Sequence, residues 1–315
     1  MFRQKAVKDV EEISAVRAQA APVSVLVVIP CLNEENTIAG VIESIPASID
    51  GVDRINVIVM DDGSTDRTAE RARSAGADVV SNDTNLGLGA TFRKAVGIVI
   101  QRRASIMVHI DGDGQFDPAD IPKLVEPVRT GKAAMATASR FADKALIPDM
   151  PKVKLWGNHA VAWIVKLLTG KRYRDVSCGF RAFSRETLLR MNLFGSFTYT
   201  QECFLDLIFK EQAILEVPVK VRGVREFGKS RIASSIPRYA SRSLKIMLRA
   251  FISYRPFRFF FSIALFFFGF GFGLLGFLLV HYLNTGAFTP HIWAGFAGGS
   301  LCFLGFSTLI TGLVG

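Results

Sequence analysis

The stretch Ser105-Ile-Met-Val-His-Ile-Asp111-Gly-Asp113-Gly-Gln115 sets two carboxylates and an amide at alternate positions where an apolar run ends. In an extended chain alternate side chains share a face, so Asp111, Asp113 and Gln115 can turn their oxygens toward one hard divalent cation. Such an ion would in turn hold a diphosphate. Two further polar clusters end apolar runs in the same way: Pro30-Cys-Leu-Asn33-Glu34 after residues 23–29, and Asp61-Asp62-Gly63-Ser64 after residues 54–60.

The elements that must position these groups follow from patterning. The β-branched runs 23–29 and 54–60 read as buried parallel strands. Helical character spans 36–44 and 66–74, with Asp66 as an N-cap. A strand at 78–81, a helix at 90–101, a strand at 105–110, a helix from Pro118 and a strand at 133–138 follow. This alternation predicts an open α/β sheet with helices on both faces, in which ligands sit beyond the carboxyl ends of the strands. All three polar clusters fall at such ends. Beyond residue 150 the pattern gives a helix at 152–168, a strand or loop at 178–183, a helix at 202–212 and a strand at 214–221.

Two familiar sites are excluded. A dinucleotide-binding turn needs glycines directly after the first strand, where this chain has Pro30-Cys-Leu-Asn-Glu-Glu, and Gly87-Leu-Gly89 has only part of that pattern. A calcium loop beginning at Asp111 needs Gly at its sixth position and Glu at its twelfth, where Phe116 and Pro122 stand.

Half of the 315 residues are apolar, and no Asp, Glu, Lys or Arg occurs from Phe259 to Gly315. The run Phe259–Val280 would be about 33 Å long as a helix, against a hydrocarbon thickness of roughly 30 Å. A second run starts at Ile292, and Asn284–Pro290 between them is a polar turn, so the pair reads as a transmembrane hairpin. The net charge of +10 is concentrated: residues 222–258 hold ten Lys or Arg and one acid, Glu226. This collar predicts a cytoplasmic side and attraction to anionic headgroups. The nearly neutral remainder argues against nucleic acid. Arg238, Arg242, Lys245 and Arg249 share one helical face, with Ala240, Leu244, Met247, Phe251 and Tyr254 opposite, the pattern of an interfacial amphipathic helix. Cys31, Cys178, Cys203 and Cys302 lack metal-type spacing and read as free thiols in a reducing compartment. Residues 1–21 have no apolar core, so no signal peptide is expected.

Six motifs in chain order carry a resemblance: Ile29-Pro-Cys-Leu-Asn-Glu34, Asp61-Asp-Gly-Ser-Thr-Asp66, Asn85-Leu-Gly-Leu-Gly-Ala90, Asp111-Gly-Asp-Gly-Gln115, Asp175-Val-Ser-Cys-Gly-Phe-Arg-Ala-Phe183 and Arg225-Glu-Phe-Gly-Lys-Ser-Arg231. With them the chain resembles family 2 glycosyltransferases of the GT-A fold, in the dolichol-phosphate mannosyltransferase and polyprenyl-phosphate glycosyltransferase group. The resemblance implies a mostly parallel α/β catalytic domain over 23–235. An extension at 1–22, an interfacial helix at 236–255 and two membrane helices within 257–315 complete the expected organisation.

It further implies that Pro30, Asn33, Glu34, Asp61 and Asp62, with Gly87 and Gly89, hold a nucleotide-diphosphate sugar, and that Asp111, Asp113 and Gln115 bind Mg2+ or Mn2+. Arg140, Lys154, Asn158, Arg181, Arg225, Ser230 and Arg231 would serve the diphosphate or a lipid phosphate. Lys154 and Asn158 stand where relatives usually carry Arg and Ser. Asp113, Asp175 and Glu202 are the catalytic candidates, with Asp175 equally able to pair with Arg174 or Arg181. The implied reaction is an inverting transfer of one sugar to a polyprenyl phosphate at the cytoplasmic face of the inner membrane, by a multi-pass homo-oligomer, a tetramer in relatives. A UDP-sugar is favoured over GDP-mannose as donor. A processive polysaccharide synthase is disfavoured because no Gln-x-x-Arg-Trp motif is present. A non-catalytic nucleotide-binding scaffold is the remaining alternative.

Overall fold

The structure, a computed structural model, describes residues 22–195, 197–223, 227 and 236–314. The apolar runs become β1 (Ser24–Cys31), β2 (Arg54–Asp61), β3 (Asp78–Ser81), β4 (Ile106–His109) and β5 (Met135–Ser139), followed by β6 (Arg181–Ser184) and β7 (Ile214–Pro218). They form one sheet in the order β3-β2-β1-β4-β6-β5-β7. The pairs among β3, β2, β1 and β4 are parallel, as is β5 with β7. Strand β6 runs antiparallel to both its neighbours, β4 and β5. The sheet is thus mostly parallel, with one reversal that residues 178–183 did not disclose, because a buried Arg181 interrupts the apolar pattern there.

From β1 the chain moves outward to β2 and β3, then returns to place β4 on the other side of β1. Loops leaving β1 and β4 therefore diverge, which opens a crevice at their carboxyl ends. Helices α1 (Ile38–Glu43), α2 (Thr68–Ser74), α3 (Leu88–Gln101), α4 (Ile121–Arg129), α5 (Lys152–Thr169), α6 (Arg185–Arg190) and α7 (Thr200–Phe209) cover the sheet. One side of the core joins Val25, Val27 and Ile29 of β1 to Val108, Leu124 and Phe180. Helix α3 buries Phe92, Ala95 and Val99, spaced by three and four. Helix α6 was not expected, although Ser184 caps it by accepting from Thr187 N at 3.2 Å. Asp66 lies two residues ahead of α2 and accepts from Thr68 N at 3.0 Å, so it steadies the approach rather than occupying the N-cap.

The chain divides into two compact units between Ser243 and Leu244. Helix α8 (Ile236–Tyr254) exposes Arg242, Lys245 and Arg249, as the collar pattern requires. Its buried side chains, however, are Ser243, Met247 and Ala250, while Ala240 and Leu244 are exposed. Part of the face expected to meet acyl chains, Ala240 and Leu244, is thus left uncovered. The second unit contains α9 (Pro256–Thr285) and α10 (Ile292–Val314), both long and apolar enough to cross a membrane. They meet at Gly271 and Gly298, where a methyl group on Gly271 would lie 2.9 Å from the Gly298 carbonyl oxygen. Helix α9 continues through Asn284 and ends only at Gly286, which adopts φ 68°.

Candidate active site

Cys31 and Asp61 are opposed in the β1–β2 register, so the loops that follow leave the sheet side by side. They are sewn together by hydrogen bonds. Asn33 N donates to Ser64 Oγ at 2.8 Å, Thr65 N to Asn33 Oδ1 at 2.8 Å, and Glu34 N to Thr68 Oγ1 at 2.8 Å. Asn33 sits at φ 51°, a conformation asparagine tolerates better than most residues. Pro30 lies just inside the end of β1, opposite Met60.

The adjacent Asp61 and Asp62 have different work. Asp61 Oδ1 accepts from Ser64 N at 3.0 Å and closes its own turn. Asp62 takes Asn82 Nδ2 and Leu86 N on Oδ1, and Gly87 N on Oδ2, all at 2.9 Å. Its carboxylate therefore fixes the loop that carries Gly87, at φ 89°, and Gly89 at the start of α3. Gly63 lets that loop come close, since a Cβ there would stand 2.9 Å from the Thr84 carbonyl carbon. Asp62 was expected against the nucleoside; the structure engages it with protein N–H groups instead.

After β4 the chain does not remain extended. It turns at Gly112–Asp113, with Gly114 at φ 72°, so the alternate-face argument for Asp111, Asp113 and Gln115 fails. Asp113 is 4% exposed, and its Oδ1 accepts from Gln115 N at 3.0 Å. Gln115 points elsewhere: its Nε2 donates to Arg222 O at 2.9 Å, and Arg222 N returns a bond to Gln115 O at 3.0 Å. Its amide is a strap to the segment after β7. Thr37, just ahead of α1, donates its hydroxyl to Gly112 O at 2.7 Å. A Cβ on Gly112 would meet Cys31 Sγ at 2.5 Å, so the loop lies on the buried thiol. Burial, and then the carboxylates of Glu34, Asp61, Asp111 and Asp113, push that thiol well above its usual pKa. One sulfur thus registers acids converging from three loops.

Among the described residues no three His, Cys, Asp or Glu side chains are grouped closely enough to hold an ion by themselves. Two carboxylates are the donor set that Mg2+ uses where substrate phosphates and water complete its shell. Asp111 and Asp113 fit such an ion by their chemistry, while the Gln115 amide nitrogen is tied to Arg222 O.

Arg140, just past β5, donates Nε to Asp175 Oδ2 at 2.7 Å and Nη2 to Oδ1 at 2.8 Å. Asp175 is fully buried, and its partner is neither Arg174 nor Arg181. Glu216 of β7 accepts from Asp175 N at 2.8 Å and from Arg174 N at 2.9 Å, so a chain of contacts runs from the sheet edge to the guanidinium. Arg140 engages both carboxylate oxygens of Asp175, which gives Asp175 an orienting place. Arg181 is wholly buried. It donates to Thr200 O at 2.9 Å and Val176 O at 3.0 Å, and its guanidinium lies 4.8 Å from the Phe204 ring centre. It is a core residue and not a substrate ligand. Glu202 takes Phe194 N at 2.8 Å and Gly195 N at 3.0 Å, and so anchors the loop ahead of α7. Lys154 and Asn158 lie one turn apart on α5, with Lys154 exposed. Arg225, Ser230 and Arg231 lie outside the described residues.

Sequence reasoning missed Thr37, Asn82, His109, Tyr199 and Glu216. Asn82 directly follows a strand, as the recognised acids do, and Glu216 is the one acid in an otherwise apolar strand. His109 stands in the wholly buried β4, and burial lowers its pKa to about 3, which keeps it neutral.

A mixed sheet with acidic loops at its switch point defines a GT-A-type sugar-nucleotide transferase fold. The sequence profile of glycosyl transferase family 2 matches residues 26–191, and the chain belongs to that family. It is 36% identical over 55% of its length to the glycosyltransferase AglJ of Haloferax volcanii, and that match covers 54% of AglJ. To the undecaprenyl-phosphate mannosyltransferase of Micrococcus luteus it is 28% identical over 67% of this chain and 88% of the relative. The matched stretch spans about half to two thirds of the first curated relatives, 46% to 65% of their lengths. Among solved structures, glucosyl-3-phosphoglycerate synthase of Mycobacterium tuberculosis, in complex with Mn2+, UDP-glucose and phosphoglyceric acid, superposes with a TM-score of 0.57. That likeness is at 27% identity and covers 76% of this chain and 83% of the synthase.

Proposed function

We propose that this chain is a membrane-anchored glycosyltransferase that moves one sugar from a nucleotide-diphosphate sugar to a polyprenyl phosphate at the cytoplasmic face of the membrane. The observation that carries the reading is the pairing of Asp111 and Asp113 with the laced β1 and β2 loops at the crevice where the sheet order reverses. In this reading residues 23–235 are catalytic, 236–255 form an interfacial helix and 257–315 hold the anchor.

The β1 and β2 loops present Asn33, Glu34 and Asp61 to the nucleoside, and Asp62 sets the glycine loop at the head of α3 beside the diphosphate. A bound Mg2+ or Mn2+ would act as a Lewis acid on the leaving diphosphate. Asp111 and Asp113 would hold that ion. The acceptor phosphate has a second pKa of about 6 and is already anionic at neutral pH. Its oxygen can therefore attack the anomeric carbon without a strong protein base, as the carbon–oxygen bond to the diphosphate breaks. In-line attack inverts the centre and gives a β-linked product from an α-linked donor. Arg140, oriented by Asp175, receives the acceptor phosphate, with Lys154 nearby on the chain and Arg225, Ser230 and Arg231 completing the group.

A lipid acceptor is preferred over the soluble phosphoglycerate of the synthase for two reasons. The chain carries two helices able to cross a bilayer. In addition, α5 has no acidic residue and exposes Val153, Trp156, Trp163 and Leu167, spaced three, seven and four apart, with Trp156 73% exposed. Tryptophan and lysine on one exposed helix suit a membrane interface. The experiment is transfer of radiolabelled sugar from UDP- and GDP-sugars into chloroform-soluble, mild-acid-labile lipid, with 3-phosphoglycerate as a competing acceptor. Product in the lipid phase that requires Mn2+ or Mg2+ supports the reading, and label only on phosphoglycerate refutes the lipid acceptor.

A further inference from the structure

Gly179 has no backbone reason to be glycine, since its φ lies outside the left-handed region occupied by Gly63, Gly87 and Gly114. The reason lies in what touches it. A Cβ built there would stand 3.1 Å from Asp111 Oδ2, 3.3 Å from Oδ1 and 3.6 Å from Cγ. The Asp111 carboxylate therefore rests on the bare α-carbon of Gly179.

The same residue is held from behind. Its carbonyl oxygen accepts from Tyr199 Oη at 2.9 Å and lies 3.0 Å from His109 Nδ1. A carbonyl can only accept, so Nδ1 carries the hydrogen of that contact. Tyr199 Oη lies 2.9 Å from that same Nδ1 and can share its hydrogen. The tyrosine itself cannot swing, because its ring stacks on Phe92 of α3 at 3.7 Å with 3° between the planes. Phenol, imidazole and peptide carbonyl thus form a closed triangle directly behind the surface on which Asp111 lies.

We propose that Tyr199 and Gly179 are positioning residues for Asp111, with the hydroxyl of Tyr199 fixing the Gly179 peptide and the peptide fixing the carboxylate toward the divalent cation. This rests on the metal reading above. Tyr199 is wholly buried, and each residue acts through the next. A methyl group at 179 pushes the carboxylate by a few tenths of an ångström. Loss of the hydroxyl removes one of the two bonds to the Gly179 carbonyl while the stacked ring stays.

The test is titration of Mn2+ into full-length protein in detergent with UDP present, followed by electron paramagnetic resonance of the free ion, alongside thermal melting. Wild type is compared with Gly179→Ala, Tyr199→Phe and Val165→Ala, the last a fully buried residue on α5. Partners behind a metal ligand typically change affinity by about 10- to 100-fold. Gly179→Ala should weaken Mn2+ binding about tenfold or more and Tyr199→Phe about threefold to tenfold, while Val165→Ala lowers the melting temperature without moving Mn2+ affinity. Should Gly179→Ala fail to fold, Tyr199→Phe decides alone. Wild-type affinity in Tyr199→Phe, or an equal loss in Val165→Ala, overturns the positioning role while leaving the metal reading intact. Absence of UDP-dependent Mn2+ binding in wild type overturns both.

Discussion

The two halves of the crevice are built by opposite means. On the side of β3, β2, β1 and β4, the loops after β1 and β2 are held mainly by backbone N–H groups donated to short side chains: Asn33, Ser64, Thr68, Asp61 and Asp62. On the side of β6, β5 and β7, one guanidinium is held by one buried carboxylate, itself set by Glu216. Many local bonds make a rigid cradle whose loss at any one point is partial. A single ion pair concentrates the risk, because removing either partner leaves the other charge without compensation. A soluble donor of fixed shape suits the first construction. An acceptor that offers one phosphate suits the second.

That division can be broken by experiment. The largest effect is expected at the junction of the two halves. Asp113→Ala should lower lipid glycosylation about a thousandfold, and chelation of divalent ions should do the same to wild type, reversed by Mn2+. Asp175→Ala should come next, with roughly 3–5 kcal/mol lost in urea unfolding and the KM for polyprenyl phosphate raised far more than that for the donor. Equal damage to both KM values would erase the distinction between the halves. Asp62→Asn should raise the donor KM about tenfold and cost roughly 1–3 kcal/mol, since three bonds to the 82–87 loop weaken together. Lys154→Ala should be mildest, about twofold to fivefold on the acceptor KM and nothing on stability, as expected for an exposed cation.

The side built on β3, β2, β1 and β4 was largely legible in the sequence because its groups sit at strand ends, and strands β1 to β4 announce themselves by β-branched runs. Even there, side-chain direction was not. Alternation placed Gln115 beside Asp111 and Asp113, but glycines at 112 and 114 turn the chain and send the amide to Arg222. The side built on β6, β5 and β7 was hardly legible. Arg140 and Asp175 are 35 residues apart and leave the sheet at the same end where β5 pairs antiparallel with β6, while the pairing of β5 with β7 brings Glu216 to Asp175. Arg181 misled for a general reason: a buried arginine that satisfies backbone carbonyls looks, in one dimension, the same as one waiting for phosphate. The family match covers both halves through residue 191 and leaves α7, β7 and the helices beyond to be read from their own physics.

The contact between Gly112 and Cys31 has a use outside the chemistry of transfer. With the loop down, the thiol is sealed, and its raised pKa leaves little thiolate at neutral pH. A small alkylating agent can therefore reach Cys31 only while the Asp111–Asp113 loop is lifted. The labelling rate at that one sulfur, followed by mass spectrometry of the peptide, becomes an internal clock for loop opening. It should slow when Mn2+ and UDP are added together.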